Sequence, residues 1–157
     1  MFGYLWVVVY PLMMLAVYAF VFGGVFNARW GGGGDMKDFV FMLYCGLIVH
    51  ALFSETLTRS PTAILSNPSY VKKVVFPLEL LPFSHLGSAL FNALVGLGLL
   101  CIFVLIQHHA IPATALFVPL VLLPFLTLTA GLAWFLAALG VFFRDVGQII
   151  GVAMTLL

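Results

Sequence analysis

From Leu80 to Phe143 the chain carries no Asp, Glu, Lys or Arg. Such a stretch cannot surface a water-soluble fold, because soluble domains draw about a quarter of their residues from the charged set. Over the whole chain 64% of residues are hydrophobic and 7% charged, with a mean hydropathy of +1.24. The sequence therefore specifies an integral membrane protein. Only helices and closed barrels satisfy their backbone groups in lipid, and the alternating runs of about ten residues that a barrel strand needs are absent. The fold class expected is all-α, a polytopic bundle of membrane-spanning helices.

A hydrocarbon core about 30 Å thick asks for roughly 20 apolar helical residues. The expected spans are residues 3–23, 39–54, 83–106 and 113–142, with the start of a fifth at 147–157. Gly23-Gly24 and Asn27 close the first, and Gly31 to Gly34 form a connector. Gln107-His108-His109 stops the third, and Pro119 and Pro124 predict a kink in the fourth. The apolar start has no basic leader and runs too long for a signal peptide, so it reads as a retained span. At 1.5 Å per residue the fifth stretch rises less than about 20 Å. It is expected to be an incomplete span, and the chain a truncated transmembrane domain.

A polar island, Ser54 to Pro82, separates the second and third spans. It holds Glu55, Arg59, Lys72, Lys73 and Glu79, five of the chain's eleven charged residues. Arg59, Lys72, Lys73 and Arg144 fall in the loops of one side, Arg29 and Lys37 in that of the other. The excess predicts that the loop 55–79 is cytoplasmic, with Met1 also inside. Within it Ser60 reads as an N-cap and Pro61 as a first helical residue, starting a short helix over Thr62 to Ser66 that Asn67-Pro68 ends. Tyr70 to Phe76 follows as an interfacial stretch whose lysines reach headgroups or an acidic partner. The island is either a docking surface or a lipid-facing loop with basic anchors.

Several chemistries are excluded. Six Lys and Arg against five Asp and Glu make no basic field for a nucleic acid. A phosphate-cradling loop closes on Gly-Lys-Ser/Thr, yet Lys37 follows Met36, Lys72 follows Val71, and Lys73 follows Lys72. Gly31 to Gly34 is a linker. Cys45 and Cys101 lie inside apolar segments without metal-ligand neighbours and read as small buried hydrophobes. The adjacent His108 and His109 point in different directions and read as a solvated turn, not a metal site. His50 and His85 lie near inner span ends. No nucleophile–base pair or carboxylate pair is present, so no catalytic residue is expected.

Two periodic stripes stand out. Ser84, Ser88, Asn92 and Gly96 recur at steps of four in the third span, with Ala89 and Ala93 beside them. A tight helix–helix seam is the preferred reading, and the border of a translocation path the other. Trp6, Tyr10, Met14, Tyr18 and Phe22 form a ridge in the first span. It suits either the membrane interface or stacking on sugar rings.

Taken in order, Gly3-Tyr4-Leu5-Trp6 with Pro11-Leu12, then Asn67, Lys72-Lys73, Phe76-Pro77, Glu79 and Leu81-Pro82, then Phe143-Arg144-Asp145 with Gln148, resemble the permease subunits of type 2 ABC exporters of polysaccharides such as O-antigen, capsule and teichoic acid. The resemblance runs over essentially all of 1–157. It departs from the family in lacking an amphipathic cytoplasmic helix at the start and, at the end, a reentrant outer segment and a sixth span. The resemblance implies a transmembrane permease subunit with no catalytic residue and no cofactor of its own, ATP and Mg being bound by a partner ATPase. It implies a homodimer in the bacterial cytoplasmic (inner) membrane, exporting a lipid-linked polysaccharide. Carried onto this sequence, the ATPase-coupling surface is Arg59, Ser60, Asn67, Lys72, Lys73, Glu79, Arg144 and Asp145. The candidate glycan-conduit lining is Trp6, Tyr10, Tyr18, Ser88 and Asn92. The alternatives are an exporter of drugs or small lipids and a non-transporting membrane scaffold.

Overall fold

The computed structural model describes residues 3–25, 36–66, 80–109, 113–143 and 145–157. Helix α1 spans Gly3–Tyr18 and passes into a π-helical turn, Ala19–Val25. Helix α2 spans Met36–Arg59 and passes into a 3-10 turn, Ser60–Thr62. Helix α3 spans Leu80–His108. A 3-10 segment, Ala113–Phe117, leads into α4, Val118–Phe142, and α5 spans Val146–Leu156. Among the described residues there is no strand. Asp38–Thr62, Leu80–Gln107 and Thr114–Phe142 are each long and apolar enough to cross a membrane, and Val9–Phe22 and Val146–Leu156 are shorter apolar helices. The chain is an all-α, multi-pass membrane protein. Large apolar side chains such as Leu120, Val121, Leu123 and Leu128 stand exposed on α4. Lipid tails are as apolar as leucine, so such exposure carries no penalty in a bilayer.

Local chemistry sets the helix ends. Pro119 falls in the first turn of α4, where its missing N–H leaves no bond unmade, so it does not kink the helix as expected. Pro124 alone lies in the interior, and the Thr127 hydroxyl donates to its carbonyl at 2.8 Å. At the end of α3, His109 takes a left-handed backbone conformation (φ 54°) and its N–H donates to Leu105 O at 2.9 Å. It closes the helix as a glycine often does. Helix α2 runs past residue 54 to Arg59, so the expected loop 55–79 begins inside a helix. Thr56 and Leu57 are buried there, and packing carries the helix on through polar sequence.

Two compact units divide the chain. One comprises Met1–His50 and Phe91–Ala113, with Leu15, Val40, Tyr44, Ile48, Ala93 and Leu100 buried. The Tyr44 hydroxyl donates to Pro11 O at 3.3 Å and ties α2 to α1. Gly96 lets α3 approach α2 closely, since a Cβ there would stand 3.2 Å from Ile48 Cδ1. The rings of Tyr18 and Phe22 stack at 6.1 Å, and Phe22 meets Phe39 at 6.3 Å.

The other unit comprises Ala51–Leu90 and Thr114–Leu157. Its centre is Leu57, Ala133 and Leu136, against which Phe53, Leu132, Leu139, Val146, Ile150 and Met154 pack. Phe53 and Phe125 meet at 5.8 Å. Thr129, Ala133, Ala137 and Gly140 are all buried on α4, a ridge of small residues at steps of four and three that admits a neighbour's backbone.

Candidate functional site

Where α2 ends, three small residues replace the bulky apolar ones. Thr56 and Ser60 are wholly buried, as is Pro61. The Thr56 hydroxyl donates to Leu52 O at 2.8 Å, and the Ser60 hydroxyl to Thr56 O at 2.6 Å. Each polar group is satisfied four residues back within its own helix, so a small side chain enters the core without an orphaned hydroxyl. This overturns the cap expected of Ser60: Arg59 precedes the 3-10 turn, and no side-chain cap bond forms. Ser60 is also removed from any exposed coupling surface, because its side chain lies inside the packing. The chain continues through Thr62, whose hydroxyl donates to Arg59 O at 3.2 Å, to Ser66, whose N–H donates to Thr62 O at 2.9 Å. The short helix expected over Thr62 to Ser66 is thus a 3-10 turn over Ser60–Thr62 followed by turn residues.

The turn Ser60–Thr62 is seated on α4 and α5 together. Gly140, in the last turn of α4, lies directly against the backbone of Pro61; a Cβ there would come within 2.7 Å of Pro61 C and Cα and closer still to its carbonyl oxygen. Across the α4–α5 corner, a Cβ at Gly147 would stand 3.7 Å from Thr62 Cγ2 and 3.8 Å from Pro61 Cβ. The corner itself is held by backbone bonds. Phe143 N–H donates to Leu139 O at 2.8 Å, Val146 N–H to Phe143 O at 3.3 Å, and Ile149 N–H to Asp145 O at 3.1 Å. Two segments far apart in sequence, the head of the polar island and the turn at Asp145, form one packed junction.

Charge decorates the outside of that junction. Arg59 is exposed and pairs with Glu55 at 3.1 Å, one helical turn earlier. The pair is ordered acid before base along the helix, the favourable sense against its dipole. Asp145 is exposed at the start of α5, where negative charge meets the helix's positive end. Among the described residues no group of three His, Cys, Asp or Glu is placed to hold a metal ion.

The whole chain, residues 1–157, matches the model of the ABC-2 type transporter family. It belongs to that family. Similar curated proteins include an "O-antigen export system permease protein RfbA" of Myxococcus xanthus, 29% identical over 154 residues that cover 98% of this chain and 57% of the relative. Two proteins of the same printed name from Klebsiella pneumoniae are each 24% identical, covering 100% and 99% of this chain and 59% and 58% of their own lengths. This ABC-2 type chain thus spans somewhat under three fifths of the relatives it matches.

Of the coupling residues expected from sequence, Arg59, Ser60 and Asp145 are brought to the junction, the first and last exposed and Ser60 buried. Asn67, Lys72, Lys73, Glu79 and Arg144 lie outside the described residues, as does the interfacial stretch from Tyr70 to Phe76. Of the conduit candidates, Trp6 and Tyr10 are exposed on α1 and Tyr18 is half-buried. Ser88 and Asn92 are exposed on α3. The seam read into Ser84, Ser88, Asn92 and Gly96 is rotated: α3 buries Leu86, Ala89, Ala93, Gly96 and Leu100, while Ser84, Ser88 and Asn92 face outward. Alanine and glycine give closer backbone approach than serine or asparagine, so the adjacent ridge wins the interface. Gly140 and Gly147 escaped notice in the sequence, and Pro61 reads there only as the first residue of a short helix. The small-residue ridge Thr129, Ala133, Ala137 and Gly140 was the available signal.

Proposed function

We propose that this chain forms the membrane-spanning core of an ABC exporter permease that moves O-antigen, or a related lipid-linked glycopolymer, outward across the cytoplasmic membrane. The family match over residues 1–157 carries the reading, and the printed names of the relatives supply the cargo class. The permease is a transporter subunit and not an enzyme. A partner ATPase binds ATP and Mg, and two copies of the permease enclose the path. The junction of the Ser60–Thr62 turn with the α4–α5 corner has the form such a subunit needs: exposed charges at Arg59 and Asp145 outside, and inside a packed link to the long helices. Closure of the ATPase pair against Arg59, Asp145 and the lysines of the polar island would tilt these helices as rigid bodies.

The test is genetic and biochemical together. In a strain lacking the full-length permease, surface glycan should fall to background while its lipid-linked precursor accumulates inside, and tagged permease should copurify with a P-loop ATPase. Normal surface glycan in that strain, with a drug-sensitivity defect instead, would favour a small-molecule exporter. Copurification without any ATPase would leave a scaffold.

A further inference from the structure

We infer that Gly140 is a positioning residue that makes the Ser60–Thr62 turn and the α4–α5 corner move as one body. The inference rests on the permease reading for what the motion does, and on geometry alone for the joint. At most helix–helix contacts side chains interpose, and each can change rotamer and absorb a displacement. Here nothing interposes. The Cα of Gly140 meets the carbonyl group of Pro61, backbone against backbone. Pro61 has a ring-locked φ and lies wholly buried in a 3-10 turn, so one of the two backbone rotations in that half of the joint is fixed. On the other half, Gly140 belongs to the final turn of α4, three residues before Phe143 ends the helix. The turn's second approach, Thr62 toward Gly147, falls one step into α5, where a Cβ would sit in ordinary contact at 3.7 Å. A load applied to the turn therefore reaches α4 and α5 at once.

Glycine is required at 140 for space and not for conformation, since no left-handed φ is involved. Any Cβ overlaps the Pro61 carbonyl, and atoms in contact rest about 3.5–4.0 Å apart. Alanine would thus push the turn off α4 by about 1 Å, leaving both helices free to form. Gly131, on the same helix, is the natural control, because a Cβ there meets nothing within 4 Å.

The experiment uses the full-length permease with its ATPase partner, Cys45 and Cys101 replaced by alanine. Thr62→Cys and Gly147→Cys place two thiols on facing sides of the corner, where a Cβ at 147 would stand 3.7 Å from the Cγ2 position of residue 62. Mild oxidation should join them in high yield, and export per ATP hydrolysed should be the same before and after crosslinking, since a rigid joint loses nothing by being locked. Adding Gly140→Ala should slow the crosslink and lower glycan exported per ATP by roughly two- to thirtyfold, the span expected for residues that carry coupling. Gly131→Ala should change neither. Loss of export on crosslinking would show that the two parts move against each other and would overturn the joint, even if the Gly140→Ala protein failed to fold. Unchanged crosslinking and unchanged coupling in Gly140→Ala would overturn it too. A wild-type complex that hydrolyses ATP without moving glycan would refute the cargo reading instead, and the crosslinking rates would still decide the joint.

Discussion

Thr56 and Ser60 show how a polar residue earns a place in a membrane protein's packing. Each hydroxyl donates to the carbonyl four residues earlier, so burial costs no unmet hydrogen bond and leaves a side chain small enough to pass beneath α4. Enlarging the site should be felt: Ser60→Leu is expected to destabilise the fold by about 1–3 kcal/mol through overpacking. Neighbouring Arg59, exposed and held by a surface pair, should cost no more than about 1 kcal/mol when changed to alanine. Thermal melting of detergent-solubilised protein separates the two, and equal melting points would contradict the assigned burial. His50 is the contrary case, with a buried Nε2 that finds no hydrogen-bond partner among the described residues. Replacing a polar group of that kind by an apolar one removes its desolvation penalty. His50→Leu should therefore melt at the same temperature as the wild type or above it, and a lower melting point would reveal a partner. Residue identity alone misled at Ser60. A Ser-Pro pair suits both a helix start and a helix's closing turn, and the choice was made by packing against Gly140.

At the scale of the helix, position in the bundle decides the cost of a change. Leu57 sits in the apolar centre with Ala133 and Leu136, and Leu57→Ala should cost about 2–5 kcal/mol. Leu120 is exposed on the outer face of α4, and the same truncation there should leave stability nearly unmoved in a bilayer. Chemical unfolding in mixed micelles is the comparison, and a large loss at Leu120 would mean that its face is covered by protein. The helices themselves were legible because charge-free runs of membrane length admit little else. Their rotation was not. A soluble helix declares its core by setting apolar residues against polar ones, but α4 is apolar nearly all round, and the polar stripe of α3, Ser84, Ser88 and Asn92, suits a seam as well as an outer face. What orients them is the placement of small residues: Ala89, Ala93 and Gly96 on α3, and Thr129, Ala133, Ala137 and Gly140 on α4. The end of α2 was misplaced for a related reason. Glu55 and Arg59 look like loop chemistry, yet as a pair one turn apart they cover a helical face whose other side is Thr56 and Leu57.

For the whole molecule, the fold and the family were legible, the first from hydropathy and the second from ordered motifs in the polar loops. The candidate site was only half legible: charges at Arg59 and Asp145 were singled out as surface, while the buried glycine–proline contact linking their segments left no mark in the charge pattern. The excess of Lys and Arg on the side of Arg59 and Arg144 predicts that this side is cytoplasmic. In a background without Cys45 and Cys101, Ser66→Cys should be protected from a membrane-impermeant thiol reagent in intact cells, and His109→Cys, beyond the other end of α3, should be labelled. The opposite pattern would invert the protein. The central claim is that the family fold here serves ATP-driven movement of a lipid-linked glycan, and transport itself tests it. Inside-out vesicles carrying the full-length permease and its ATPase should take lipid-linked O-antigen into a compartment protected from an added glycosidase, only when ATP is supplied and not when the ATPase is inactivated. Glycan that stays accessible to the glycosidase under every condition, in vesicles whose ATPase is active, would contradict the account.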